Sequence, residues 1–370
     1  MAHTQRLERW LGAPRIEQLR IAMRGWYGPP IHLLDCPGSV RIDKDGDFTG
    51  PFERGVFYSA MDAFSDHVRR VSRGLAKPWP VQASVGFSIS DALLRASSGY
   101  KHYLNGGQIQ KTGPTGVAGV TSSLWRLGSS PAAGGAPGAA PAGTQYTKAI
   151  TGALIFTNPA SGTLHLSGAH MMASVINNSL LLYDRIFGVI KTINSTATEA
   201  VSGVPLRYQN TTTSAADYIG GNFLTIEVGG TALAATAHNW TTCLYVDDAN
   251  GASTLPSVTG NSGAIVDRLD QPTSTWFCPL ASGDCGIKNL TQMQCSAAVA
   301  TGVIWFVIGH PIGIMSFPVI NSLMPFDWLT NIDQAPRIFD DACLAFYEIT
   351  KPATTATGYA GQIIALNAAP

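Results

Sequence analysis

Charge is scarce in this 370-residue sequence. Only 13% of its residues are Asp, Glu, Lys or Arg, with 24 acidic against 24 basic side chains and a formal net charge of zero. An ordinary soluble domain carries about 25% charged residues. So sparse and balanced a charge excludes a globally basic nucleic-acid binder, and direct nucleic-acid contact is not expected. It also argues against a free monomer, because a near-neutral surface promotes association. The 45% hydrophobic content excludes wholesale disorder.

Cysteine is scarce too. Six residues (Cys36, Cys243, Cys278, Cys285, Cys295 and Cys343) are too few for a disulfide framework at this length. No CxxC pair occurs, and the spacing Cys278-x6-Cys285-x9-Cys295 fits no zinc pattern, so small buried hydrophobes are the expected role. Met1 to Arg24 carries five arginines and lacks the apolar core of a secretory signal. The most hydrophobic run, Val303 to Leu323, has the length of a membrane span but contains His310, Pro311 and Pro318. Two prolines would open hydrogen bonds that lipid cannot satisfy. No membrane contact is expected, and the run is read as a buried strand at Val303–Ile308, a turn, and a second extended piece.

The charge that is present is distributed unevenly. Residues 1–110 hold 14 basic and 10 acidic side chains, a net of +4. Residues 111–143 add Lys111 and Arg126, while 144–370 hold 8 basic and 14 acidic side chains, a net of −6. Three regions follow: a partly helical N-terminal arm or subdomain over 1–110, a Gly/Pro/Ala-rich extended strap over 111–145, and a β domain over 146–370.

In the arm, Ile16, Leu19 and Met23 fall at helical spacing after Pro14. Ser59 and Asp62 suggest a capping box ahead of the stripe Met61, Phe64, Val68 and Val71. A third short helix is expected to begin at Ser90. Val40–Phe48 reads as a hairpin turning at Asp45-Gly46. The strap, Ser129 to Gly143, is turn-rich and suits a polyproline-like segment lying over a surface.

Beyond it, Leu224, Ile226 and Val228 alternate with Thr225 and Glu227, the mark of a half-buried strand. Similar runs occur at 148–156, 163–175, 179–190, 241–247, 274–279, 286–300, 303–309, 343–350 and 359–366. About ten short strands at this spacing, without helical crossovers, predict an antiparallel β-sandwich or jelly roll.

Catalytic signatures are missing. There is no Gly-x-Ser-x-Gly elbow, and Gly106 to Thr112 lacks the glycine a phosphate loop needs before its lysine, so it reads as a loop. His165 and His170 lie five apart, which sends them to opposite faces of a strand. Asp43, Asp45 and Asp47 start like a calcium loop, but Phe48 and Arg54 stand where Gly and Glu are required. No enzyme, metal or cofactor is expected. Trp and Arg are favoured interface anchors. The candidate partner-binding residues are therefore Arg6, Arg9, Trp10, Arg15, Arg20, Trp26 and Tyr27 in the arm, with Trp125 and Arg126 in the strap.

Several short segments resemble a group of tailed-bacteriophage virion structural proteins. They are Ser123-Leu-Trp-Arg126 with the strap after it, Gly152-Ala-Leu-Ile-Phe-Thr-Asn-Pro159, and Leu181-Leu-Tyr-Asp-Arg185. Pro279-Leu-Ala-Ser-Gly-Asp-Cys-Gly-Ile-Lys288 and Pro336-Arg-Ile-Phe-Asp-Asp-Ala-Cys-Leu344 complete the set, within residues 117–346. The resemblance implies a capsid cement or decoration subunit, located in the virion and assembled in the bacterial cytoplasm. Its implied partners are the major capsid protein or other virion subunits. A homo-oligomer follows, with a trimer as the working expectation, the arm and strap reaching across neighbours. Two other readings stand beside it: the major capsid protein itself, or a receptor- or glycan-binding tail module using Trp240 or Trp276.

Overall fold

A computed structural model of the chain describes residues 40–42, 48–51, 101–105, 107–115, 120–208, 221–271, 276–327, 336–350 and 355–368. The chain divides into two units, Met1–Ala83 and Ser84–Pro370. In the first, β1 (Val40–Ile42) and β2 (Phe48–Pro51) pair antiparallel, as the hairpin reading expects. The proposed helices, the arm residues Arg6 to Tyr27, Cys36 and the Asp43–Asp47 loop lie outside the described residues.

The second unit is built from β3 (Lys101–Tyr103), β4 (Ile109–Thr112), β5 (Ser122–Ser123), β6 (Gly138–Ala139) and β7 (Thr144–Gln145). Two long strands follow, β8 (Thr163–Ala173) and β9 (Asn178–Lys191), then β10 (Glu199–Ala200) and β11 (Phe223–Val228). Shorter pieces come next: β12 (Asn239–Trp240), β13 (Leu244–Asp247), β14 (Ala252–Thr254) and β15 (Val258–Thr259). The chain continues with β16 (Ile287–Met293), β17 (Ile304–Phe317), β18 (Met324–Asp327), β19 (Arg337–Ile338), β20 (Leu344–Thr350) and β21 (Gly358–Ala368). There is no helix among the described residues, and the architecture is mainly antiparallel β.

A seven-stranded sheet runs in the order β11-β17-β9-β20-β5, with β6 and β7 also on β9. A six-stranded sheet runs β18-β8-β21-β3, with β19 on β8 and β4 on β21, and a four-stranded sheet runs β10-β16-β13-β14. Twelve of the fourteen residues of β9 are buried, so both of its faces are covered. That explains its two apolar runs, Leu180–Tyr183 and Ile186–Ile190, because a strand with a wet face would alternate.

One apolar cluster joins β9, β11 and β17 to β16, through Ile186, Ile226, Phe306 and Leu290. A second joins β9 and β20 to β8 and β21, through Leu182, Phe346, Leu166 and Ile363. A third contains Trp125, Tyr146, Tyr183, Trp305 and Tyr347, so strap residues and the seven-stranded sheet share a core.

Several expectations change here. Val303–Leu323 does not break after Ile308: β17 continues to Phe317 through register shifts at Ile308/Gly309 and Pro311/Gly313. The last residue of β17 facing β11 is Gly309, opposite Phe223, so among the described strands Pro311 pairs with β9 alone, and its missing N–H interrupts no described ladder on the other side. Residues 106–112 are not simply a loop, since Ile109–Thr112 is a strand paired with β21. With β3 also on β21, residues 101–112 pair into the β body rather than ending the arm. The 148–156 run makes only two isolated bridges, Leu154 to Leu344 and Phe156 to Leu104. Residues 276–279 form no strand.

Four cysteines, Cys243, Cys278, Cys295 and Cys343, are buried as expected, whereas Cys285 is exposed; all five are free thiols. His165 is buried and His170 exposed, as their opposite faces require.

Candidate functional site: the strap and the buried clamp beneath it

The strap lies on its own chain. β5 pairs with β20, then β6 and β7 pair with β9 opposite Phe187 to Ile190. That stretch of β9 is the part β20 leaves free, since β20 pairs with β9 only as far as Asp184. The backbone is locked at both ends, with Leu124 N donating to Phe346 O at 3.0 Å and Tyr146 N donating to Ile186 O at 2.9 Å. Among the described strap residues, the strand pairings and the Trp125 indole are engaged within this chain.

Trp125 is 1% exposed. Its indole Nε1 donates to Gly135 O at 2.9 Å and its edge meets Tyr146 at a centroid distance of 5.4 Å. Gly134 crosses the indole so closely that an added Cβ would stand 2.0 Å from Trp125 Cε2. Only glycine fits there. As an anchor, Trp125 therefore serves the inside of this chain. Arg126 is partly exposed: its guanidinium donates to Gly229 O, lies 3.8 Å from Asp267 and sits over the Trp305 ring at 5.4 Å.

Beneath the strap is a buried polar cluster. Arg185, from the middle of β9, donates to both carboxylate oxygens of Glu227 on β11, at 2.8 and 3.0 Å. Its guanidinium also lies 5.0 Å from the Trp125 ring and 4.7 Å from that of Tyr146. Tyr347 OH donates to Glu227 and meets Thr225 Oγ1 at 2.7 Å, while its ring stacks on Tyr183 at 4.4 Å. Burial would lower the Arg185 pKa, but Glu227 together with Tyr146 and Tyr183 offsets it and the net shift is upward. Burial pushes the Tyr183 and Tyr347 hydroxyls up as well, so both stay protonated, Tyr347 donating to Glu227 and Tyr183 accepting from Arg185 Nη1 at 3.1 Å.

Two similar nodes flank it. Asp184 accepts from Arg207 Nε and Nη2 at 2.8 and 2.7 Å and from Cys343 N at 2.9 Å. Asp270 accepts from His238 Nε2 and Trp240 Nε1, both at 2.8 Å, and from Asn261 N at 2.6 Å. Burial works against a charged His238, but the bond to Asp270, the charge of Asp270 and the Thr236 backbone together raise its pKa. Trp240 is therefore a core residue, while Trp276 keeps 38% exposure. Lys111 is buried under the strap, donating to Leu127 O at 2.5 Å, and burial lowers its pKa to about 8. These groups hold one another still. Among the described residues, no set of three or more His, Cys, Asp or Glu is placed to bind a metal ion.

No protein-family model matches the chain, and no curated protein sequence matches it. Two solved structures align weakly. They are of infectious bursal disease virus, strains Gt and Gx, at 12% and 13% identity over 73% and 72% of this chain and 80% of each of theirs, with TM-scores of 0.14 and 0.11. Scores that low do not establish a shared fold.

Four of the five segments that carry the bacteriophage resemblance meet around β9. Trp125 packs on Arg185, Asp184 caps Cys343 N, and Leu154 bridges to Leu344. The fifth, Pro279–Lys288, lies elsewhere, with Asp284 accepting from Tyr245 OH at 2.5 Å. The sequence reading missed Glu227, Asp184 and Asp270. One signal pointed to the first: an arginine inside the apolar stretch Leu180 to Ile190 needs a buried carboxylate.

Proposed function

We propose that this chain is a non-enzymatic structural subunit of a bacteriophage virion, a cement or decoration protein that stabilises the head. In this reading its body is a sandwich of the jelly-roll type, with the second apolar cluster lying between two sheets. It works as a symmetric homo-oligomer, taken as a trimer.

The observation that carries the proposal is the Arg185–Glu227 clamp under the strap. Both side chains are almost fully withdrawn from solvent, and the strap's own tryptophan closes over them. Charged and aromatic groups that could line a cleft instead tie an extended segment to the central strand. Such a body resists deformation, which suits a part of a shell under internal pressure. The meeting of four resemblance segments around that strand supports the same reading. With the strap held in cis, contacts to the major capsid protein or other virion subunits fall to the arm, at Arg6, Arg9, Trp10, Arg15, Arg20, Trp26 and Tyr27, and to the exposed surface of the body.

The test is a phage with this gene deleted. Its particles should release DNA at a lower temperature than complete ones, and adding the purified full-length chain should restore the difference. Identical release temperatures with and without the chain would contradict the proposal.

A further inference from the structure

Large apolar side chains at the surface are not scattered evenly. Eleven are exposed among the described residues, and six of them belong to two chain reversals and the strand ends beside them. Met172 and Ile176 come from the end of β8 and the β8–β9 connection. Ile314, Val319, Ile320 and Leu323 come from β17 and the β17–β18 connection. Exposure rises from 37% at Met172 to 55% at Leu323.

The two reversals form one tip. Asn177 N donates to Phe317 O and Asn321 N donates to Ala173 O, both at 2.8 Å, so each connection is bonded to the strand end of the other. The ladders continue this pairing, with Phe317 opposite Asn178 and Met324 opposite Met171. Asn177 and Asn321 have φ of 58° and 50°, left-handed values that asparagine tolerates better than most residues. Below them Phe317 packs against Phe326 and Tyr359, at centroid distances of 5.5 and 5.7 Å. Asn178, itself fully buried, donates to Thr357 Oγ1 at 2.6 Å. The tip is thus preorganised on a packed base.

Its chemistry selects the partner. No Asp, Glu, Lys, Arg or His occurs from Met171 to Tyr183 or from Pro311 to Phe326. In a symmetric contact each side chain faces, or lies near, its own copy, so any charge would meet a like charge. The two described loops at the tip, 174–177 and 318–323, carry no ionisable side chain and avoid that repulsion. A lipid interface asks for something else: Trp or Tyr at headgroup level and Lys or Arg for anionic lipid. Neither segment offers an exposed residue of those four types.

We infer that this tip is a self-association surface, at which copies of the chain meet through Ile176, Val319, Ile320 and Leu323. The four partly exposed loop side chains make a small patch, below the roughly 800 Å² per partner of a standard interface. The contact is therefore weak in dilute solution and strengthened wherever copies are held side by side. The inference rests on the homo-oligomer part of the proposed function and gives that oligomer its surface.

Sedimentation velocity of the purified full-length chain over a concentration series tests it. The wild type should shift toward larger species as concentration rises. Ile320→Asp and Ile320→Lys should each stay monomeric, with melting temperatures unchanged because the side chain is at a loop tip. Mixing the two variants should restore association, since opposite charges then face each other. A wild type that stays monomeric throughout, or charged variants that associate as the wild type does, would overturn the inference. So would binding of the wild type to neutral phosphatidylcholine vesicles that is lost in Ile320→Asp, which would make lipid the partner. A chain that self-associates through this tip yet is absent from phage particles would remove the virion reading and leave the tip standing.

Discussion

Arg185 and Glu227 meet through two parallel hydrogen bonds of 2.8 and 3.0 Å, reaching across β17 from the two strands that flank it in one sheet, with 0% and 2% of their side chains exposed. A pair this deeply buried contributes little net stability, because desolvating both charges offsets their attraction. Leaving one charge without the other is costly.

The pair should therefore show strong coupling. Arg185→Met or Glu227→Gln alone should cost about 3–5 kcal/mol, as uncompensated buried charges do. The double variant should cost clearly less than the sum of the two singles. Denaturant unfolding of the four proteins in a double-mutant cycle measures this, and simple additivity would contradict the coupling.

Asp267 gives a pH-dependent prediction. Burial raises its pKa to about 6, with Arg126 pulling the other way, and its Oδ1 has no hydrogen-bond donor among the described residues. A carboxyl whose folded pKa lies above its unfolded value of 3.8 destabilises the fold once ionised. Its cost is absent below about pH 4, grows between pH 4 and 6, and is complete above that. Asp267→Asn keeps the left-handed backbone at φ 69° that asparagine accepts. It should melt higher than the wild type at pH 7.5, and the gap should close as the pH falls to 4. A gap that is constant with pH would contradict the assignment.

Gly134 reports on the docking of the strap. Gly134→Ala would place a methyl against the Trp125 indole, and overpacking of this kind costs about 1–3 kcal/mol. The variant should melt lower and be cut by protease between 129 and 143 at doses that spare the wild type. Gly135→Ala is the control, since nothing lies within 4 Å of its Cβ position. Equal cleavage of the two variants would argue against a docked strap.

Parts of this organisation were legible in the sequence, and the reasons differ by element. Alternation in Leu224 to Val228 gave the strand and its two faces. Periodicity reads the run as a half-buried strand and does not say whether the polar face is wet; Thr225 and Glu227 are both buried, and both bond to the Tyr347 hydroxyl. The strap's Gly, Ala and Pro composition implied an extended segment, but such small side chains carry no address, and only Trp125 and Tyr146 determine where it lies. Pro311 suggested a break because local sequence cannot reveal that β17 has lost one neighbour by that point. The uncharged stretch around Pro318 was visible as hydrophobicity, while its meeting with Ile176 depended on the order of the sheets.

The basic arm makes a separate claim. Deleting residues 1–30 removes Arg6, Arg9, Trp10, Arg15, Arg20, Trp26 and Tyr27 and should abolish attachment to particles while leaving the β body folded. Co-sedimentation of the truncated chain with phage heads checks it, and wild-type occupancy would contradict it.

The most direct test of the structural reading is the copy number of this chain in purified phage particles, by quantitative mass spectrometry against the other virion proteins. A cement subunit should be present in many copies, in fixed ratio to the shell protein but distinct from it. Absence from the particles, or presence as the most abundant shell protein itself, would contradict the account.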